Sequence, residues 1–241
     1  MDFSPKKMYF CSHETVRNQE TYILIVKKMN KNEKFVITIN RELGSGGRVV
    51  GEKVAEKLGV PFYDKVLIQA LTEKYNLSVE EIERMKGRSH SWWKDFIRVV
   101  NIGPGLISAQ NYPANVGESD LLTTDDMFRT EQEVLKGIAD DGSCVVAGRC
   151  GFFVFRQHPN CLSVLIQASM DWRVARVAED KGISEEKARE IIGQVDKMRE
   201  NYVNKYTGTS RYDTHNYDLV LRADGKTEDE LADLILQYIG Q

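Results

Sequence analysis

Arg41 and Arg48 bracket a glycine-rich turn, Gly44-Ser45-Gly46-Gly47, that follows the apolar run of residues 35–39. After the turn, Val50, Val54, Ala55 and Leu58 fall on one face of an amphipathic helix. Strand, glycine loop and helix start form a cradle for an anion: glycine lets the backbone approach, and the first-turn N–H groups and helix dipole attract negative charge. Four more arginines lie at or near strand ends, loops or long charged segments: Arg149, Arg173, Arg176 and Arg199. Arg173 and Arg176 share a helix face by their i,i+3 spacing, as do Asp196 and Arg199. In a chain of net charge −3 this placement points to phosphate chemistry, because a planar guanidinium can contact two phosphate oxygens at once. Phosphoryl transfer asks little covalent work of a protein. It needs two phosphate groups aligned, their charge neutralised and water kept out.

The elements that must position these residues read as follows. Residues 35–39, 60–63, 144–147, 162–167 and 217–222 are short, near-continuous apolar runs, the pattern of parallel strands covered on both faces. Helices are expected over 48–58, ending at Gly59, and over 65–75, 126–140 and 170–181. A further helix begins at Ser78, boxed with Glu81. A long charged helix runs from Ser184 to about residue 203, and a last one from Thr227, boxed with Glu230, stops at Gly240. The alternation predicts a three-layer α/β/α domain around a five-stranded parallel sheet. Two segments interrupt it. Residues 86–125, with Trp92, Trp93 and Gly103-Pro104-Gly105, are too long for a plain connection; residues 178–213 are dense in charge and aromatic side chains.

At 241 residues, 41% hydrophobic and 29% charged, the chain has the material for a full core and no apolar run approaching the ~20 residues of a membrane span. The negative net charge argues against nucleic-acid binding by bulk charge. Cys11, Cys144, Cys150 and Cys161 show no CxxC spacing. Cys144 and Cys161 read as buried thiols in apolar strands, which fits a cytoplasmic protein. The four histidines have no metal-ligand spacing, and no metal-binding residue is assigned. Residues 1–29 are expected to be an arm outside the domain at 30–241, either mobile or upstream of a true start at Met29.

Several ordered blocks together resemble the cytidylate kinase-like group of nucleoside monophosphate kinases, with a P-loop kinase-like fold. They are Ile39-Asn-Arg-Glu-Leu-Gly-Ser-Gly-Gly-Arg48, Pro61-Phe-Tyr-Asp-Lys65, Val145-Val-Ala-Gly-Arg-Cys150, Arg173-Val-Ala-Arg176, Asp196-Lys-Met-Arg199, and Tyr202 with Lys205-Tyr-Thr-Gly208. The resemblance runs from about residue 35 to the end and implies ATP and Mg²⁺ as cofactors. The implied reaction is phosphoryl transfer from ATP to a nucleoside monophosphate such as CMP. It implies donor-phosphate contacts from Arg41, Gly44, Ser45, Gly46, Gly47, Arg48 and Arg173, and acceptor contacts from Asp64, Lys65 and Arg149. Arg48, Arg176, Asp196 and Arg199 would act on the transferring group. Residues 86–125 would be the acceptor-binding insertion and 178–213 a helical lid. The implied partners are a nucleotide donor and a small phosphorylated acceptor, with no nucleic acid or membrane and with homodimerisation left open. Tyr206, Tyr212 and Tyr217, like Tyr202, read as packing under the lid.

The blocks depart from the family pattern at informative places. Arg41 replaces the first glycine of a standard loop, Gly47 the lysine, with Arg48 next, and Val49 the Mg²⁺-binding Ser/Thr. Cys150 replaces an acceptor-reading Asp, and of the helix after the second strand only Lys65 is basic. Two alternatives follow: a kinase of another small molecule on the same scaffold, or a nucleotide-binding module without turnover. Arg48→Ala is expected to weaken triphosphate binding, and Arg199→Ala to lower turnover more than ATP affinity.

Overall fold

The computed structural model describes residues 29–65, 68, 72, 77–86 and 125–240. The expectations for the arm, for Cys11 and for Trp92 and Trp93, and nearly all of the insertion, lie outside the described residues.

The strands are β1 (Val36–Arg41), β2 (Phe62–Tyr63), β3 (Cys144–Ala147), β4 (Cys161–Gln167) and β5 (Leu219–Arg222). They form one parallel sheet in the order β2-β3-β1-β4-β5, with Val36 level with Cys144 on one side and Cys161 on the other. The described helices are α1 (Gly47–Leu58), α2 (Val79–Lys86), α3 (Asp125–Asp141), α4 (Gly151–Val154), α5 (Met170–Lys181), α6 (Glu185–Thr207) and α7 (Glu228–Tyr238). Strand periodicity sorts them into layers. Ile37, Ile39, Val145, Val164 and Ile166 point to one face, where they meet Val50 and Val54 of α1 and Leu231 and Ile235 of α7. Val36, Cys144, Val146 and Cys161 point to the other, against Val134, Leu135 and Ile138 of α3. Phe152 of α4 and Val203 of α6 pack on Leu165 of that second face. The fold is the three-layer α/β/α sandwich that the apolar runs predict.

The differences from expectation are at element ends. β1 runs on to Arg41, so the arginine that replaces the loop's first glycine is still held by the ladder, level with Ile166. The second strand shrinks from 60–63 to two residues because the Val60 N–H bonds back to Ala55 O to close α1. The fifth starts two residues late because Tyr217 closes a 3₁₀ turn through its N–H to Thr214 O. α6 extends past residue 203 to Thr207. The four-residue α4 was not anticipated; it is too short to show a period. The caps at Ser78, Ser184 and Thr227 are present, the last as a full capping box. Cys144, Cys150 and Cys161 are buried thiols outside any disulfide. Among the described residues no helix is long and apolar enough to cross a membrane.

Candidate functional site

β1 lies at the centre of the sheet between β3 and β4, so the segments leaving β1 and β3 open together at the carboxyl edge, where such sheets bind ligands. The glycine loop leaves β1 there and is held from inside. Glu42 is buried, and its Oε2 accepts a hydrogen bond from Ala168 N at 2.9 Å. Ser45 is fully buried, its hydroxyl donating to Glu42 O at 2.9 Å, so it serves the loop's own geometry. Gly44 and Gly46 have φ of 82° and 76°, a region L side chains avoid. A Cβ on Gly47 would lie 2.5 Å from Cβ of Arg41. The turn delivers the chain into α1, whose first-turn N–H groups have no acceptor within the helix.

Arg41 spans this edge. Its stem packs against Gly47, and its NH1 reaches Gly148 at the end of β3, where only a glycine leaves room. Burial, then the neighbouring Arg199 guanidinium, push its pKa down to about 9. Arg199 NH1 donates to Arg41 O at 3.3 Å, and Arg211 NH2 donates to the same oxygen. Burial and the adjacent Arg211 lower Arg199 to about 10. Lys65 falls to about 8 through burial and the charges of Arg149, Arg199 and Arg41. Among the described residues, one cavity is lined by these five cations, Arg41, Lys65, Arg149, Arg199 and Arg211, and by no carboxylate. Mutual repulsion at that density costs free energy that a polyanion would relieve.

The opposite wall comes from a strained turn. Gly148, Arg149 and Cys150 follow one another with φ of 79°, 51° and 54°, and two of them are not glycine. The turn brings the Arg149 guanidinium against Glu131 of α3, a buried ion pair, and 4.8 Å from the Tyr202 ring centroid. Burial depresses the Arg149 pKa and pushes the Cys150 thiol up to about 12, leaving a neutral sulfur in the lining. Thr38 Oγ1, from the cavity floor, is buried with no hydrogen-bond partner.

The remaining residues singled out in the sequence sit around this centre. Arg173 NH1 pairs with Asp196 Oδ2, both buried, and Asp196 also accepts from Leu43 N at 3.4 Å; the pair ties α5 and α6 to the glycine loop. Arg176 pairs with Glu228 of α7 beside Gly46. Arg48 faces away from the lining: its Nε donates to Asp64 Oδ2 at 2.8 Å, and its NH1 lies 2.8 Å from Glu52 Oε1. Tyr206 stacks on Phe128 at 3.9 Å, and the Tyr217 hydroxyl donates to Arg211 O at 2.7 Å, so both pack. Tyr202 does both, lining the cavity while donating to Glu131 at 3.4 Å. Arg211, Glu131 and Thr38 were missed in the sequence. Glu131 had a signal: it is a carboxylate on the 128–131–134–138 stripe of an otherwise apolar helix face. Arg211, in an irregular segment, had none.

The glycine loop and the α1 start offer backbone N–H groups to an anion, with the Arg176–Glu228 pair beside Gly46. Mg²⁺ finds no fit there: Val49 is exposed hydrocarbon, Ser45 is turned inward, and among the described residues no three His, Cys, Asp or Glu side chains form a metal site.

The chain is similar to several known proteins. A solved structure of an uncharacterized protein from Eubacterium ventriosum ATCC 27560 is 25% identical, with a TM-score of 0.62, covering 86% of this chain and 98% of that one. A gluconokinase from Sinorhizobium meliloti 1021 is 15% identical at a TM-score of 0.46, covering 86% and 91%. A curated protein of Corynebacterium glutamicum named uronate isomerase is 27% identical over 153 residues, 62% of this chain; the match spans 28% of that protein's length. Residues 36–224, from the first strand to just past the last, match the cytidylate kinase-like family, and the chain belongs to that family.

Proposed function

We propose that this chain is a phosphotransferase that moves a phosphoryl group from ATP to a small phosphorylated acceptor, in the first instance a nucleoside monophosphate such as CMP. One observation carries the reading: among the described residues, five cationic side chains and no carboxylate line a cavity at the carboxyl edge of the sheet, beside a glycine loop and a helix start. In this reading Gly44 to Gly47 and the α1 amides hold the donor phosphates, with Arg176 beside them. Lys65 and Arg149 hold the acceptor's phosphate. Arg41 and Arg199 lie between the two sites and neutralise the group in transit. Residues 178–213 act as the lid, α6 excluding water through Met198, Tyr202 and Val203. Arg173 and Asp196 position that helix. Arg48, held by Asp64 and Glu52, orients the acceptor-side carboxylate. ATP would bring Mg²⁺ on its own phosphates.

A second reading, a phosphorylated acceptor other than CMP, is favoured by Cys150. A neutral thiol stands where a carboxylate would accept the cytosine amino group, and Thr38 offers a hydroxyl in the same cavity.

The test is ADP formation from ATP and Mg²⁺ against a panel of nucleoside monophosphates and non-nucleotide phosphates. The first reading expects turnover with a pyrimidine monophosphate, the second with another phosphorylated acceptor. ATP binding with no ADP from any acceptor would refute both.

A further inference from the structure

We propose that Arg211, which belongs to none of the family's sequence blocks, contacts a phosphate group of the bound ligand directly. The proposal rests on the phosphate-binding reading of the cavity and adds a fourth guanidinium, beside Arg41, Arg149 and Arg199, to its ligand-facing set.

Arg211 is the largest fully buried side chain among the described residues, with 0% of its surface exposed, and it lines the cavity. Its NH2 is anchored on Arg41 O, but Nε and NH1 are buried with no hydrogen-bond acceptor. Asp196 Oδ1 lies 3.8 Å from NH1, beyond hydrogen-bond reach, and Asp196 is already taken by Arg173 and Leu43 N. Buried donors are almost always satisfied, and a guanidinium with two open N–H directions is costly to keep. The backbone nevertheless holds it there. The Tyr217 hydroxyl donates to Arg211 O at 2.7 Å, and the Arg211 N–H donates to Glu200 Oε2 at 3.1 Å. The Tyr212 ring centroid lies 5.2 Å from its guanidinium carbon. Arg173 also has a buried Nε without a hydrogen-bond partner, but its NH1 is paired with Asp196 and it does not line the cavity; Arg211 lines it with both Nε and NH1 lacking one. These point to an oxyanion brought by the ligand, shared with Arg199, whose NH1 sits on the same carbonyl.

The chemistry needed is that of a phosphate or diphosphate, so inorganic pyrophosphate serves as the probe, titrated into the full chain without ATP. The Arg211 side-chain Nε–H resonance, assigned through its own backbone, is followed by nitrogen-edited NMR. Affinity is measured calorimetrically for wild type, Arg211→Lys and Arg211→Gln. The expected result is a saturable shift of the Arg211 Nε–H signal and a loss of about tenfold or more in affinity in both variants, since lysine keeps the charge but not the fork. Pyrophosphate binding with an unmoved Arg211 signal overturns the proposal and leaves the kinase reading standing. Failure of wild type to bind pyrophosphate also overturns it, and ADP formation still tests the kinase separately. A shifted signal in a protein that forms no ADP supports Arg211 and sinks the kinase. The NMR readout needs no variant, so a misfolded Arg211→Lys would not protect the proposal.

Discussion

Glu131→Gln is expected to be among the most damaging single changes in this protein that delete no core volume. The Glu131 and Arg149 side chains are 3% and 5% exposed and form an ion pair. Glu131 Oε1 and Arg149 Nε have no hydrogen-bond partner, so among the described residues only the Tyr202 hydroxyl on Glu131 and the Tyr202 ring beside Arg149 remain if the pair is broken. Glutamine keeps the shape but leaves a buried guanidinium uncompensated, a situation that costs about 3–5 kcal/mol. For a domain of this size that corresponds to a fall of roughly 6–20 °C in Tm. Urea unfolding followed by far-ultraviolet circular dichroism would measure it as a shift in midpoint at constant slope. Replacing both members, Glu131→Leu with Arg149→Met, removes the stranded charge and should recover at least half of the loss, at the expense of ligand binding. Two results would refute the reasoning. One is a loss below about 1 kcal/mol for Glu131→Gln, as for an exposed pair. The other is a double variant as unstable as the sum of the singles, which would mean the two groups are not coupled.

Three further outcomes follow from the structure. Gly47→Ala places a methyl 2.5 Å from the Arg41 stem, so ATP affinity should drop about tenfold or more; equal affinity by calorimetry would show that the loop yields freely. Lys65, lowered to about 8, is charged below that pH, so pyrophosphate affinity should fall as pH rises through 8, and Lys65→Met should flatten the profile; a wild-type profile flat from pH 7 to 9 contradicts this. The same shift has the opposite sign for folding: because the folded pKa lies below the ordinary lysine value, charging the group disfavours the fold, and stability should rise between pH 8 and 10.5. Thr227→Ala removes the hydroxyl that accepts from Glu230 N at 3.2 Å and should cost about 1 kcal/mol by thermal unfolding with ATP binding unchanged; a cost near zero would show that the cap is idle.

The fold was legible because its signals are local. Continuous apolar runs, the capping box at Thr227, the serine cap at Ser78, and the αL glycine after α1 each depend on a few neighbouring residues, and the family blocks lie in order along the chain. Element ends were less so. Whether residue 60 belongs to a strand or closes a helix depends on which acceptor its N–H reaches, and the helix won. The site was legible in part. Arg41, Lys65, Arg149 and Arg199, all singled out by residue type and block, do line one cavity, whereas Arg48 and Arg176 are paired with acids at its margin.

Residue type and spacing by themselves determined that this chain builds a parallel sheet with a glycine turn after its first strand and that it sets arginines at the end of that strand, around the turn and along its charged segments. Both follow from steric and periodic rules acting over a few residues. Which of those arginines line the cavity was decided only by tertiary packing. An arginine's fate depends on the nearest carboxylate in space, and Asp64, Asp196, Glu131 and Glu228 come from other segments of the chain. The same packing drew Arg211 from an unremarked loop into the lining of the cavity, because Arg41 O and the Tyr217 hydroxyl hold it there across more than a hundred residues in one case and six in the other.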